Sequence, residues 1–437
     1  MKIDLVVPLI KTKMKLLHKI FLSLFRPGIW ESKKKRYDVL LFCHDHDRGY
    51  KFNNKAYAQL TDSLCDIFKE RGLSVISIAT PFSQVTGRLA YNNPKNINRQ
   101  FLWSGITDKL LSLCKIERLC ARKYKDRVEK LWIKILSTNS PRLIIAIQPT
   151  YKLCRASHSL RIPIYDLQHG VISDSHPSYG EVFKKEANPK DLPTGFLCWD
   201  TSSANALDKW ATNKGCKVLI IGNPWFKRFF ERSKCDALVQ KSNYVPIFKN
   251  RNKNILVSLQ WNMNNFYPEQ INNGVMPTCI ERVIEKTHNH FNWLIRLHPV
   301  QIFNGEKKHV EKYLYDKFGT FVNVDWVLST NYPLPVILTY TTLHITCWST
   351  VTKEASLFGI PTALLDTEMR TKGKRYADYL EERNLGIADV IDLKEESIIN
   401  WLMANVEKIR LCHHNSKENL NYDELFNVLT ESKVSVI

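Results

Sequence analysis

The residues of this chain that are best suited to chemistry lie in two short segments, 296–299 and 346–361. In the longer segment an apolar run ends in Ser349 and Thr350, a short helix is predicted to follow, and Gly-Ile-Pro precedes the next apolar run. A helix N-terminus binds anions through unpaired N–H groups and partial positive charge, and two hydroxyls there would add donors. The shorter segment, Arg-Leu-His-Pro, adds the imidazole of His298 from a neighbouring strand end. This pattern suits the phosphate of a nucleotide-activated donor and favours a transferase.

A second candidate site is the loop that follows the apolar run 164–167. It reads Gln-His-Gly-Val-Ile-Ser-Asp over 168–174, and His176 comes soon after it. A histidine with an ordinary pKa of about 6.5 can take a proton from an acceptor hydroxyl at neutral pH. His169 is therefore a candidate general base, and Asp174 is its competitor. Two alternatives stay open: a structural loop histidine, and metal ligation by the two histidines, whose spacing matches no familiar zinc pattern.

A third loop, 44–49, follows the first apolar run and carries two His, two Asp and one Arg. We interpret His44, Asp45 and Arg48 as contacts to an acceptor, together with His176 of the second loop. A metal-binding cluster and a solvated turn of mixed charge are the alternatives.

Composition limits the class of protein. The chain has 437 residues, 44% of them hydrophobic and 24% charged, which is typical of a soluble globular protein with more than one domain. Its eleven cysteines are scattered, without a CxxC pair. This argues against a disulfide framework or structural zinc site and favours a reducing cytoplasm. The net charge of +20 indicates an anionic partner, which could be nucleic acid, an acidic membrane surface or a phosphorylated substrate.

Residues 1–36 are predicted to form a basic amphipathic helix. Apolar side chains from Leu16 to Phe25 share one helical face, lysines surround it, Pro27-Gly28 ends the run, and Lys33-Lys34-Lys35-Arg36 follows. No apolar stretch reaches the about 20 residues that span a bilayer, and the lysines interrupt any signal-peptide core. We expect this segment to lie on an anionic membrane surface, with docking on the protein's own core as the alternative.

From Tyr37 onward, short apolar runs alternate with helical patterns, which predicts parallel sheets with helices on both faces. The predicted strands are 39–43, 74–79, 143–147, 164–167, 196–199, 218–221, 255–259, 293–297, 321–324, 344–347 and 362–365. The predicted helices are 55–71, much of 104–136, 278–287, 307–318, 351–358, 374–383 and 395–409.

The stretch 227–254, rich in Lys, Arg, Asn and Ser, interrupts this rhythm. It predicts a linker between two doubly wound domains, 37–226 and 255–437, that face each other across a cleft. Ligands of open α/β sheets bind beyond the carboxyl ends of the strands. Every loop named above, and the segment Ser258–Trp261 after another predicted strand, is therefore expected to point towards that cleft.

The motifs at 168–170, 222–224, 296–299 and 349–361 together resemble nucleotide-sugar transferases of the GT-B fold. They are most similar to bacterial surface-polysaccharide enzymes with CMP- or CDP-activated donors: sialyltransferases, Kdo transferases and polyglycerol-phosphate polymerases. The resemblance implies an α/β GT-B fold with two Rossmann-like domains, the N-terminal one binding the acceptor and the C-terminal one the donor.

The same resemblance implies roles for individual residues. It assigns donor binding to His298, Pro299, Ser349, Thr350 and Glu354, with the glutamate on the ribose hydroxyls. Arg296 either contributes to the field at the phosphate or is a structural ion-pair partner. Gln-His-Gly is similar to the Trp-His-Gly of the polymerases, whose histidine is taken as the base, whereas sialyltransferases place an acidic pair before a glycine.

The mechanism expected from these residues needs no metal and no cofactor. A base, His169 or Asp174, deprotonates a hydroxyl of a glycan or lipid-linked acceptor, which attacks the anomeric carbon of a nucleotide-activated sugar, with a CMP-sugar favoured. The enzyme would be cytoplasmic and peripheral on the inner face of the plasma membrane, serving capsule or lipopolysaccharide synthesis. A CDP-glycerol or CDP-ribitol type polyol-phosphate transferase and a nucleotide-sugar epimerase are the alternatives. Nucleic acid is disfavoured as a partner, because the sequence contains no recognised nucleic-acid-binding module and its basic residues are dispersed.

Overall fold

The structure is a computed structural model that describes most of the chain. The described residues are 21, 24, 28, 36–104, 117–174, 176–231, 236–242, 252–261, 263–265, 267–271, 274–303, 306–370, 373–407 and 422–434. The amphipathic helix predicted for 1–36 lies almost wholly outside them and stays a prediction. No helix within the described residues is long and apolar enough to cross a membrane.

Strands and helices alternate along the described chain. The strands are β1 (Tyr37–Cys43), β2 (Tyr50–Phe52), β3 (Lys55–Tyr57), β4 (Val75–Ala79), β5 (Pro141–Ala146), β6 (Ile164–Leu167), β7 (Gly195–Cys198), β8 (Lys217–Ile220), β9 (Lys253–Ser258), β10 (Phe291–Arg296), β11 (Val324–Asp325), β12 (Leu343–Thr346), β13 (Thr362–Leu364) and β14 (Ala388–Val390). The α-helices are α1 (Gln59–Glu70), α2 (Glu117–Asn139), α3 (Tyr151–Ser159), α4 (Phe183–Lys185), α5 (Thr201–Ala211), α6 (Pro224–Glu231), α7 (Ala237–Ser242), α8 (Thr278–Thr287), α9 (Pro299–Phe303), α10 (Lys307–Phe318), α11 (Val327–Asn331), α12 (Leu334–Tyr340), α13 (Val351–Ser356), α14 (Leu380–Asn384), α15 (Glu395–Asn405) and α16 (Asp423–Val434).

The chain divides into two compact units. The first contains residues 1–169, 182–224 and 421–437, and the second contains 170–181 and 225–420. The sequence places 170–181 and 421–437 in the opposite domains, because neighbours in sequence are expected to share a domain. In the structure, contacts with residues distant in sequence place 170–181 in the second unit and 421–437 in the first.

The first unit is built on a parallel sheet of six strands in the spatial order β4-β1-β5-β6-β7-β8. Successive side chains of a strand point to opposite faces. Leu40 and Phe42 of β1 accordingly pack with residues of α2 and α3, whereas Val39 and Leu41 pack with residues of α1 and α16. Burial on both faces explains why β1 is a continuous apolar run, and it confirms the predicted doubly wound arrangement of this unit.

A hairpin replaces the start of one predicted helix. The helix expected from Lys55 begins at Gln59, because β2 and β3 pair antiparallel around Asn53 and Asn54. Both asparagines have positive φ, 49° and 60°, as the tight turn of a two-residue hairpin requires. The helical prediction over 55–58 is therefore wrong, although the Asn-Asn pair was a visible hairpin signal.

The second unit also has a parallel sheet of six strands, in the spatial order β11-β10-β9-β12-β13-β14. The chain winds outward from β9 in one direction and then from β12 in the other, so the order reverses between these two strands. In open α/β sheets this reversal is where ligands bind, beyond the carboxyl ends of the strands. The residues that follow β9, β10, β12 and β13 are therefore the ones whose positions matter for function.

Several predicted elements of this unit are displaced. The predicted linker contains α7 and the part of α6 from residue 227 onward, and Arg228 of α6 forms an ion pair with Asp236 at 2.7 Å. The predicted helix 374–383 is a series of turns up to Tyr379, whose φ is 54°, and only then helix α14. The strand predicted at 321–324 is reduced to β11. Helices α8 and α10 have the predicted bounds, because an amphipathic apolar stripe is a local signal.

Candidate functional site

The register of the second sheet brings four chain segments to one edge. Ser258 of β9 pairs with Arg296 of β10, and the pairing of Val257 with Ile345 aligns Thr346 of β12 with the same level. Two residues further along, the chain leaves the sheet at Gln260, His298, Trp348 and, from β13, Asp366. The edge thus carries the predicted donor residues on both sides of the central strand β9.

His298 is held as a neutral hydrogen-bond donor. Its Nδ1 accepts the N–H of Val300 at 3.1 Å, and its own N–H donates to the side-chain oxygen of Gln301 at 2.8 Å. Burial lowers the pKa of this imidazole to about 4, so the ring is neutral at physiological pH. With Nδ1 accepting, the ring proton must lie on Nε2. This nitrogen makes no hydrogen bond to any described residue and can donate to a ligand.

Arg296 and Glu354 have different surroundings. The side chain of Arg296 is bonded to the backbone, whereas the carboxylate of Glu354 is a candidate ligand-binding group. The guanidinium of Arg296 donates to the carbonyl oxygens of Ser329 and Tyr332, the latter at 2.9 Å, and so fixes the segment that contains α11. The carboxylate of Glu354 is half-buried and makes no hydrogen bond within the described part of the chain. Burial raises its pKa to about 7, with the positive charge of Arg296 opposing that rise. Arg296 therefore hydrogen bonds two backbone carbonyls, and its positive charge acts on the carboxylate of Glu354.

Ser349 and Thr350 lie at the start of α13, a helix of only six residues. The hydroxyl oxygen of Ser349 accepts the N–H of Val351 at 3.3 Å, which leaves its hydroxyl hydrogen available to a ligand. A Cβ atom placed on Gly170 would lie 3.7 Å from the methyl carbon of Thr350, so these two residues are close together. Within the second unit, Gly170 therefore lies next to the hydroxyl-rich loop.

Trp348, which immediately precedes these hydroxyls, is held by two backbone hydrogen bonds and by a contact between its ring and a guanidinium. Its N–H donates to the side chain of Gln260 at 2.8 Å, and its carbonyl accepts the hydroxyl of Tyr379 at 2.8 Å. The guanidinium of Arg375 lies 4.4 Å above the indole ring, which is a cation–π contact. The position of the hydroxyl-rich loop is therefore set by groups from distant segments of the second unit.

The fully buried carboxylate of Asp366 completes this arrangement. It accepts the hydroxyl of Tyr267 at 2.6 Å, and Nε of Arg375 lies 2.5 Å from its other oxygen. Sequence reasoning missed Asp366, Arg375 and Tyr379. Asp366 follows the strand 362–365 directly, so the rule about carboxyl ends of strands could have found it. No local signal marks the other two.

The second candidate loop is anchored on the second unit. Ser173 donates to Asp378 at 2.6 Å, and Nδ1 of His176 accepts the N–H of Ser178 at 3.1 Å. Burial lowers the pKa of His176, with the charge of Asp378 opposing that shift. Through Nδ1, the ring of His176 therefore helps to hold the turn that follows it. The side chain of Asp174 is exposed.

In the first unit, the residue before His169 is fixed within the fold. Gln168 is buried, its amide donates to Ser203 at 2.9 Å, and its oxygen accepts the N–H of Trp199 at 2.7 Å. These bonds join the end of β6 to the end of β7 and to α5. His169, which is half-buried, therefore follows a residue that hydrogen bonds hold in place at the carboxyl end of β6.

The three residues predicted to contact an acceptor from loop 44–49 are engaged in internal bonds. Nε2 of His44 bonds the carbonyl of Ile147 at 3.1 Å, and the carboxylate of Asp45 accepts the N–H groups of Gln84 and Val85 at 2.7 and 3.3 Å. Arg48 is 1% exposed and pairs with Asp62 at 3.3 Å. Burial raises the pKa of that aspartate to about 6. All three side chains thus have partners within the first unit.

Comparison with known proteins adds information about the fold. No protein-family profile and no curated protein sequence matches this chain. Among solved structures, UDP-GlcNAc 2-epimerase from Methanocaldococcus jannaschii matches with a TM-score of 0.52 and 13% identity, over 86% of this chain and 94% of that one. The enzyme from Neisseria meningitidis bound to UDP-GlcNAc matches with a TM-score of 0.50 and 14% identity, over 89% and 99%.

A wall teichoic acid polymerase, TagF, soaked with CDPG, matches with a TM-score of 0.50 and 10% identity over 99% of both chains. At such identities the likeness is informative about architecture alone. It agrees with the two parallel six-stranded sheets described above. The chain has a GT-B-type fold of two Rossmann-like domains.

Proposed function

We propose that this protein is a glycosyltransferase that uses a nucleotide-activated sugar, bound by the second unit. One observation carries the proposal. At the carboxyl edge of the second sheet, where the strand order reverses, a neutral imidazole N–H, a serine hydroxyl and an unbonded carboxylate are left for a ligand. They belong to His298, Ser349 and Glu354, which come from β10 and from the segment after β12.

These groups match the parts of a nucleotide-activated sugar. Nε2–H of His298 and the hydroxyls of Ser349 and Thr350 would donate to the phosphate, whose negative charge grows as the bond to the sugar breaks. The ionised carboxylate of Glu354 would accept hydrogen bonds from the ribose hydroxyls. Arg296 acts by fixing the neighbouring backbone and by favouring the ionised form of that carboxylate.

The acceptor side of the proposal depends on His169, with Asp174 as the competing base. The base removes the proton of an acceptor hydroxyl, whose oxygen forms a bond to the anomeric carbon. The bond between that carbon and the phosphate oxygen breaks, and the nucleotide leaves with the electron pair. His169 suits this role because it follows Gln168, which is fixed by hydrogen bonds to Ser203 and Trp199 at the carboxyl end of β6.

We further propose a CMP-sugar as donor and a surface-polysaccharide or lipid-linked glycan as acceptor. The motif resemblance supports both choices. The net charge of +20 and the basic segment 1–36 support the proposal that the enzyme acts at an anionic membrane surface. A polyol-phosphate transfer, in which the acceptor oxygen attacks phosphorus, is the second candidate, favoured by the match to TagF over 99% of the chain.

A nucleotide-sugar epimerase is the third candidate, favoured by the matches to two UDP-GlcNAc 2-epimerases. The reactions differ in what they need. A transferase needs an acceptor and releases a nucleotide, whereas an epimerase converts UDP-GlcNAc alone.

The first experiment is a thermal-shift screen of the whole chain against CMP, CDP, UDP, GDP and their sugar or glycerol conjugates. A ligand at a hundredfold excess over its Kd stabilises the folded state by about 2.7 kcal/mol. A shift with CMP or CMP-sugars supports the proposal, and a shift with CDP-glycerol alone favours the polyol-phosphate reaction. A shift with UDP or UDP-GlcNAc alone would favour the epimerase, which a separate assay for conversion of UDP-GlcNAc without acceptor would then test. The absence of any shift would overturn the donor site at His298 and Ser349.

A further inference from the structure

Trp261 stands out among the aromatic residues of the second unit by its position. Strand β9 ends at Ser258, and three residues later the Trp261 side chain is 43% exposed. A single exposed apolar residue is ordinary on a protein surface, so exposure alone assigns nothing. This residue, however, follows the central strand at the point where the strand order reverses.

The indole is held in place although it is exposed. Its Nε1–H donates to the carboxylate of Glu306 at 3.3 Å. The preceding residue, Gln260, is buried and accepts the N–H of Trp348. The side chain of Trp261 is thus anchored at its polar atom and its backbone at the adjacent residue, which leaves ring surface free for a ligand.

The anchors also relate Trp261 to the candidate donor residues. Glu306 precedes α10 and lies on the segment that follows α9, which begins directly after His298. Gln260 connects to Trp348, the neighbour of Ser349. Trp261 therefore belongs to the same edge of the second sheet as the groups proposed to bind phosphate, in the segment that follows β9, the strand between β10 and β12.

A fixed aromatic face beside a phosphate site is suited to the base of a nucleotide. Every nucleobase has a π-face, and stacking on an aromatic side chain is worth about 1–3 kcal/mol. Because Nε1 is occupied by Glu306, recognition would use the ring face, and stacking alone is tolerant of which base is bound. The identity of the base would then be read by other groups.

We infer that Trp261 is the stacking platform for the nucleobase of the donor, an inference that rests on the proposed nucleotide site. It predicts that the loss of the indole weakens binding of ligands with a base and spares ligands without one. The contribution of the residue can therefore be separated from that of the phosphate contacts.

The test is calorimetric titration of the whole chain with CMP, UMP and inorganic pyrophosphate. For the Trp261→Leu variant we expect binding of the nucleotide to weaken about 5- to 140-fold, with pyrophosphate affinity unchanged. Trp261→Phe should restore most of the loss because it keeps an aromatic face. Trp103→Leu, at a 62% exposed tryptophan of the first unit, is the matched control and should change neither affinity.

Glu306→Ala keeps the indole but removes its anchor, and it should weaken nucleotide binding less than Trp261→Leu does. Equal weakening of nucleotide and pyrophosphate in Trp261→Leu would overturn the inference, because it would indicate a general distortion. Unchanged nucleotide affinity in that variant would also overturn it, while the proposed function would stand. If the unmodified chain binds neither nucleotides nor pyrophosphate, the proposed function fails first and the inference fails with it.

Discussion

Ser173 donates a hydrogen bond to Asp378, with 2.6 Å between Oγ and Oδ1, although 205 positions separate the two residues in the chain. The next residue, Tyr379, donates its hydroxyl to the carbonyl of Trp348 at 2.8 Å. Two consecutive residues therefore hold both the loop that begins at Gly170 and the loop that carries the hydroxyls of Ser349 and Thr350. Displacement of this short segment would move both loops together.

The Ser173–Asp378 bond can be tested by a double-mutant cycle. A hydrogen bond to a charged group contributes about 1.5–3 kcal/mol, so we expect Ser173→Ala and Asp378→Ala each to lower the free energy of unfolding by roughly that amount. Because both changes remove the same bond, the double variant should lose about as much as one single variant. Urea unfolding measures the three values. Additive losses would show that the two side chains act independently.

His298 provides the most direct test of the donor site. His298→Ala removes one hydrogen-bond donor to the phosphate, and we expect a loss of about 10²–10³-fold in turnover of the donor identified by the ligand screen. His298→Asn offers a side-chain N–H in a similar place and should recover part of the loss. Steady-state kinetics with that donor gives both values. His290→Ala, at an exposed histidine of the same unit, is the control and should retain full activity.

Glu354 should make donor binding depend on pH. Its pKa is raised to about 7 by burial, and only the ionised carboxylate accepts two hydrogen bonds from ribose hydroxyls. Affinity for the nucleotide should therefore rise as the pH increases through about 7. Calorimetric titration of the unmodified chain and of Glu354→Gln across this range measures the effect. We expect the variant to lack this rise, and parallel curves for the two proteins would refute the assignment.

The raised pKa of Glu354 also predicts how the stability of the folded chain changes with pH. Its pKa is about 7 in the folded chain and 4.5 in its ordinary state, so the folded chain binds the proton more tightly. The resulting stabilisation is fully present below the ordinary pKa and is lost as the pH rises through the folded value. Glu354→Gln should thus raise Tm relative to the unmodified chain at about pH 9 and give no such gain at about pH 4. Thermal unfolding at the two pH values checks this.

Arg48 is expected to stabilise the first unit rather than to bind an acceptor. Its side chain and that of Asp62 are both 0% exposed, so Arg48→Met leaves a buried carboxylate without its counter-charge. We expect a loss of about 3–5 kcal/mol in the free energy of unfolding, which urea denaturation measures. Arg48→Met combined with Asp62→Asn should recover part of it.

Arg71→Met is the matched control for that measurement. Arg71 lies 3.9 Å from Asp423 in an exposed pair, and its loss should cost less than about 1 kcal/mol. A similarly small loss for Arg48→Met, accompanied by weaker acceptor binding, would restore the interpretation of Arg48 as a ligand contact.

The sequence by itself determined the class of fold and most of the strands. Buried parallel strands are continuous apolar runs, so β1, β6 and β12 were visible within one or two residues. The rule that ligands bind at the carboxyl ends of such strands then indicated which loops to examine, and it led to the prediction that His298 and Ser349 contact the donor. These are local patterns or general consequences of topology.

Only the tertiary structure decided which polar side chains are available to a ligand. His44, Asp45 and Arg48 form a promising loop in sequence, yet the partners of their side chains come from residues 56 to 147, beyond the loop itself. Arg375 and Tyr379 contact Trp348, the neighbour of Ser349, from positions that carry no sequence signal of their own. A buried polar group must find a partner somewhere in the fold, and the partner's position in the chain is fixed by packing rather than by spacing.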